Sequence, residues 1–323
     1  MARLLMLLLV LTLAAGCDSD GTNPFDRDDP TDPGDPGDQP SGDIPETLAG
    51  DVTRVSYDPA QNTIVVEGLT LDDVPFSAVY TRAPALEANV PGYQVYTAQD
   101  DPLDRHSTAF AAEANNSGAV RAGVVVTGGP RNRYFGGTFY ERDGSFVPPA
   151  GGQVTYTGRY AGLTNLDGST EDLLPVPPGT PPELVPDQAA EVTGDVFMNA
   201  DFADNSIEGN IINRQLEGST TLPSLVLVSS EIASNGTFFG DVEFESSDPL
   251  SGPNPVGSDI GDYGGIIGGP DGEGLAGGIF LGEFDGLGDQ LGIEDEEEYG
   301  IFVLDRCGTP GAADPLGVCG SVN

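Results

Sequence analysis

The sequence predicts an all-β protein: an eight-stranded antiparallel up-and-down β-barrel preceded by a smaller N-terminal β domain. Three observations lead there. Apolar residues cluster in short β-branched or alternating runs bounded by Gly, Pro and Asn. The 46 glycines and 27 prolines among 323 residues leave little uninterrupted chain for helices. From about residue 152 onward, eight such runs follow one another with a period of two, as consecutive antiparallel strands require. Charge narrows the function before any motif is read. Acidic residues number 52 against 12 basic ones, all of them Arg, for a formal net charge of −40. Phosphate backbones would be repelled by such a surface, so nucleic acid is excluded as a partner.

At the N-terminus, Arg3 precedes an apolar run from Leu4 to Leu13 that only Thr12 interrupts. A charged residue followed by a short apolar segment is the pattern of a secretory signal, and the run is too short to span a bilayer as a mature helix. Leu13-Ala14-Ala15-Gly16-Cys17 resembles the lipobox of bacterial lipoproteins. The resemblance implies that residues 1–16 are removed and that Cys17 is lipidated, which would anchor the protein to a membrane without a transmembrane helix. It also implies a place at the bacterial outer membrane or cell surface, although Asp18 beside the lipidated cysteine resembles the inner-membrane retention signal of enteric bacteria. Residues 17–47 are then a tether. Ten acids stand there against Arg27, with six prolines and almost no apolar side chains, so ordering the segment would bring too little burial to offset its entropy. Asp18-Ser19-Asp20-Gly21-Thr22-Asn23 does space oxygen ligands as calcium loops do, but no bidentate glutamate follows at the expected distance.

Residues 48–147 form the first β domain. Val52 to Tyr57 and Thr63 to Val66 make a hairpin around Asp58-Pro59-Ala60-Gln61-Asn62, and further strands are expected at Phe76–Arg82, Tyr93–Ala98, Ser107–Ala112, Ala119–Thr127 and Tyr134–Arg142. A short helical piece is expected around Pro84–Asn89. Residues 152–306 form the barrel, with strands at Val154–Tyr160, Val192–Phe202, Ser206–Asn213, Ser224–Ile232, Thr237–Glu245, Asp262–Ile267, Leu275–Phe284 and Tyr299–Asp305. Val196, Met198, Ala200 and Phe202 alternate with Asp195, Asn199 and Asp201, and Phe238, Val242 and Phe244 with Asp241 and Glu243, which gives each strand one buried face. A two-sheet sandwich is the competing architecture. Glycines at 209, 240, 264, 265, 277 and 278 lie inside these strands, where they mark bulges or barrel corners.

Candidate sites are few. Leu173 to Asp187 holds six prolines and reads as an extended linker, either between domains or between the first two barrel strands. The acidic run Glu294–Glu298 reads as a solvated face, with a calcium or basic-partner site as the alternative. Residues 307–323 carry Cys307 and Cys319, which with Cys17 lipidated remain as an even pair in an oxidising compartment and are expected to form a disulfide. His106 is the sole histidine and reads as a surface strand residue. Two-histidine metal sites are therefore ruled out, and no nucleophile elbow or P-loop is present. A carboxylate pair could serve a hydrolase, but nothing among the 52 acids selects one, so no catalytic residue and no enzyme activity is expected. No cofactor is implied; calcium, or haem held by Tyr93, Tyr96 or Tyr134, remains an alternative.

Four segments carry a resemblance. Gly194 to Phe202 followed by Ser206-Ile207-Glu208-Gly209-Asn210-Ile211, then Ile232 to Phe244, then Gly261 to Pro270 with Leu275 to Phe280, and finally Tyr299-Gly300-Ile301-Phe302-Val303 resemble, in order, the hairpins of the transferrin-binding-protein-B-like surface lipoproteins. This resemblance implies an eight-stranded barrel paired with an N-terminal "handle" domain, displayed on a lipid anchor to capture a protein, haem or another iron source without catalysis. The competing reading is an acidic structural envelope lipoprotein or adhesin with no dedicated ligand.

Overall fold

Two antiparallel sheets account for nearly all the regular structure in this computed structural model, which describes residues 44–58, 61–69, 75–114, 119–129, 134–149, 152–253, 255–292 and 294–321. The expected secretory signal, Cys17 and the calcium-like pattern at 18–23 lie outside the described residues.

The first sheet is a meander of β1 (Val52–Asp58), β2 (Thr63–Leu69), β3 (Pro75–Arg82), β4 (Gln94–Ala98), β5 (His106–Glu113), β6 (Val120–Gly128) and β7 (Phe135–Arg142), each paired with the next. It curls until its two edges meet. The Asp51 amide donates to the Gly136 carbonyl at 2.9 Å, and the Asp51 carboxylate accepts from the Gly136 amide at 3.2 Å. Alternation along β6 gives the sheet two apolar faces. Val125 packs with Ile64, Tyr80, Tyr96, Ala109 and Phe139 inside the curl, while Val120, Ala122, Val124 and Val126 point the other way.

The second sheet comprises β8 (Gln153–Asp167), β9 (Ala189–Asp201), β10 (Ser206–Leu216), the two-residue flap β11 (Thr220–Thr221), β12 (Leu225–Glu231), β13 (Thr237–Phe244), β14 (Asp259–Gly268), β15 (Gly274–Gly282) and β16 (Glu297–Arg306). β16 pairs back onto β8 from Glu298 opposite Thr164 to Arg306 opposite Tyr156. That pairing closes an eight-stranded barrel and removes the sandwich alternative. The inward residues expected from alternation, among them Val196, Met198, Ala200, Phe238, Val242 and Phe244, are buried together with Tyr156, Tyr263 and Phe302. An eight-stranded barrel is just wide enough for side chains to fill it, and these do.

The outward face of β14, β15, β16 and β8 is the second partner of the curled sheet. Ala161, Leu163, Ile266, Ala276 and Ile301 share one apolar cluster with Phe110, Val120, Val124 and Val126. A Cβ at Gly278 would stand 2.3 Å from the Thr138 hydroxyl, so only glycine lets β7 approach β15 this closely. The single-turn helix α1 (Glu46–Ala49) seals the seam: Leu48 is buried and its carbonyl accepts from the Thr138 hydroxyl at 2.9 Å. The piece expected to be helical at Pro84–Asn89 is instead two successive turns, with Leu86 N–H donating to Ala83 O and Asn89 N–H to Leu86 O, both at 3.0 Å. The segment is too short for its i to i−4 bonds to repay nucleation.

The two ends of the barrel differ. Tight connections at 202–205, 232–236 and 269–273 close one end. Every long connection, 168–188, 217–224, 245–258 and 283–296, gathers at the other.

Candidate functional site at the long-loop end

Each of the four long loops carries Asp or Glu, and none contains an Arg. The end of the barrel is therefore rimmed by one sign of charge. Four of the exposed large apolar side chains also lie there: Leu174 and Leu184 in loop 168–188, Val256 in 245–258 and Leu287 in 283–296, with Val256 78% exposed. The loops brace one another. Leu287 N–H donates to the Ser251 carbonyl at 3.2 Å, and the Gln290 amide to the Leu250 carbonyl at 2.8 Å.

Beneath the rim lies a buried ion pair. Arg214 of β10 and Glu298 of β16 are fully buried and meet at 2.6 Å from Nη2 to Oε2, while the Tyr160 hydroxyl of β8 donates to the other Glu298 oxygen. A Cβ at Gly300 would sit 2.0 Å from that hydroxyl, so glycine makes its room. Arg214 Nη1 donates to the Pro223 carbonyl at 2.9 Å and, more weakly, to the Phe284 carbonyl at 3.4 Å, tying loops 217–224 and 283–296 to the barrel wall. Strict alternation would turn Arg214 outward. A bulge between Ile212 and Gln215 against β9, with Asn213 at φ 56°, shifts the phase by one residue and turns it inward. Sequence reading missed Arg214 because the bulge leaves no mark in the hydrophobic pattern.

Two further carboxyls here are displaced from their usual range. Burial lifts Glu191 of β9 to about 7, helped by the neighbouring Glu217, whose carboxylate accepts from the Glu191 amide at 2.7 Å. Burial likewise raises Glu296 to about 7, with Asp285 and Glu283 adding negative charge beside it. The acidic run Glu294–Glu298 is thus not a solvated face throughout. Glu296 and Glu298 are buried, Glu298 inside the barrel as part of β16, while Glu294, Asp295 and Glu297 stay exposed. The alternation of the final strand begins within the run and turns alternate acids inward.

The proline-rich stretch is the β8–β9 loop and not an interdomain linker; it folds back on the first sheet, where Leu174 N–H donates to the Gln99 side chain at 2.8 Å. His106 is not on the surface. It is fully buried at the start of β5, covered by this same loop, with Nε2 3.2 Å from an Asp172 carboxylate oxygen, and burial holds it below the usual histidine range. The three tyrosines do not converge. Tyr93 donates to the Arg159 carbonyl at 2.8 Å on the outer wall of the barrel, Tyr96 to Gln94 at 2.6 Å inside the curl, and Tyr134 to Asp167 at 2.9 Å. Cys307 and Cys319 form a disulfide at the tight-turn end, where the Cys307 amide donates to the Thr155 carbonyl at 2.8 Å. Where the curled sheet meets the barrel, Asp51, Tyr134, Asn165, Glu297 and Tyr299 line a recess of about 30 Å³, room for a water or an ion.

No protein-family profile and no curated protein matches this chain. Solved structures similar to it are crystal structures of transferrin-binding protein B. A double mutant from Haemophilus parasuis Hp5 aligns at 9% identity and a TM-score of 0.37, over 77% of this chain and 52% of that one. A single mutant from the same source gives 10% and 0.33 over the same shares. The isotype 1 protein from serogroup B Neisseria meningitidis gives 11% and 0.35, over 77% and 51%. The chain thus spans about half the length of the structures it matches.

Proposed function

We propose that this protein is a lipid-anchored, non-enzymatic binding lipoprotein of the bacterial cell envelope that captures a protein ligand on the long-loop end of its barrel. One observation carries the reading: the long loops, the one-signed rim and four exposed aliphatic side chains coincide at a single end. Acidic charge steers a basic surface toward the site, and desolvated aliphatic contacts hold it there. The filled barrel interior favours a macromolecule at the rim over haem or a small solute inside. Resemblance of the hairpins to transferrin-binding lipoproteins makes an iron-carrying protein the first ligand class to try.

The test immobilises the mature chain and offers iron-loaded serum proteins, haemin and envelope extract at physiological salt. One partner retained at about 1 M salt, where the screening length is about 3 Å, supports capture through apolar as well as charged contacts. Retention only of basic proteins that are lost at that salt, or of nothing, favours an acidic structural lipoprotein.

A further inference from the structure

Two carboxylates are buried together in loop 283–296, and among the described residues neither is ion-paired with an Arg. Asp285 follows β15 and Glu296 precedes β16, and they are 1% and 2% exposed. The limbs that carry them are joined by the Glu283 amide donating to the Glu296 carbonyl at 2.9 Å. Asp285 Oδ2 accepts from the Leu291 amide at 2.6 Å. Among the described residues neither carboxylate oxygen of Glu296 makes a hydrogen bond of good geometry; its own amide lies nearby, and the group beside it, Asp285, is an acceptor like itself. Arg214, the buried cation at this end, is committed to Glu298. A carboxylate removed from water must pair with a positive charge, bind a metal ion or take up a proton.

We propose that Asp285 and Glu296 form a divalent-cation site with the chemistry of calcium. Calcium takes six to eight oxygens in an irregular shell, so two carboxylates can be completed by main-chain carbonyls and water, whereas magnesium demands near-ideal octahedral geometry. Among the described residues no three acidic, His or Cys side chains converge as a ready-made cage. The affinity therefore belongs with weak extracellular modules, with Kd on the order of 10⁻⁴–10⁻³ M. A bound cation clamps the two limbs of the loop and lowers the rim's charge beside the exposed Leu287. The inference does not depend on what, if anything, the rim captures.

The experiment is thermal unfolding of the mature chain with millimolar CaCl₂, MgCl₂ or NaCl at matched ionic strength, for wild type, D285N/E296Q and the exposed control E208Q/D241N. Wild type and the control should gain several degrees in calcium beyond the other salts, and D285N/E296Q should lose that difference. Equal responses to calcium and magnesium, or an undiminished calcium response in D285N/E296Q, would overturn the site as general screening of a −40 chain. So would a wild type indifferent to calcium together with a D285N/E296Q variant more stable in every salt, since a shared proton would then be what holds the pair. Should D285N/E296Q fail to fold, a calcium titration of wild type by calorimetry decides: one saturating site supports the proposal, and a non-saturating response contradicts it.

Discussion

Arg214 shows how one side chain organises the candidate site. It is buried with Glu298 and its Nη1 donates to two loop carbonyls, so removing it leaves a carboxylate without its cation inside the barrel. Arg214→Met is expected to destabilise by about 3–5 kcal/mol. The double variant R214M/E298Q should cost less than R214M alone, which denaturant unfolding of the two would show. Glu191 offers a second check. Its carboxyl rises from an ordinary 4.5 to about 7 on burial, so between these values the folded chain keeps a proton that the unfolded chain has released. Stability contributed by the neutral form is complete below pH 4.5 and is lost as pH rises through 7. Glu191→Gln should therefore raise Tm at pH 8 and leave it nearly unchanged at pH 4.5. Neither residue could be read as buried from sequence: a bulge hides the phase of Arg214, and Glu191 faces the curled sheet, a neighbour distant in the chain.

At the scale of elements, strands were far more legible than what connects them. All eight barrel strands were readable because alternation of large apolar with charged residues, as at Val196 to Asp201, follows directly from a pleat with one buried face. β8 runs on to Asp167, beyond the expected Tyr160, because both its faces are covered and Ala161 and Leu163 pack outward on the curled sheet. Composition leaves the placement of the proline-rich loop open, since it shows extension but not where a segment docks. That loop covers His106, whose neighbours in sequence say nothing of burial. The disulfide belongs to the opposite end. It closes a loop with a sequence separation of 12, for which chain entropy gives about 3 kcal/mol. Reduction should lower Tm while leaving ligand retention at the rim unchanged, as scanning calorimetry and capture on the same samples would report.

For the whole molecule, the curled sheet and the barrel are one folding problem, because the outer wall of β14, β15, β16 and β8 is buried by that sheet together with α1 and the Leu86–Val90 connection. Gly278→Val, which forces a side chain onto Thr138, is expected to cost about 1–3 kcal/mol or more by overpacking this seam, seen as a single cooperative transition at lower denaturant. The shared seam leaves the long-loop end as the barrel surface where charge, exposed aliphatics and long connections meet. Its identity as the binding face is the central claim. The most direct test compares retention of a captured partner by wild type, by the rim variant V256S/L287S and by F239S, which removes an exposed aromatic from the flank of β13. The account predicts at least a tenfold loss of affinity, about 1.4 kcal/mol, for the rim variant and none for F239S. Loss in F239S with full retention in V256S/L287S would contradict it and move the binding face to the barrel wall.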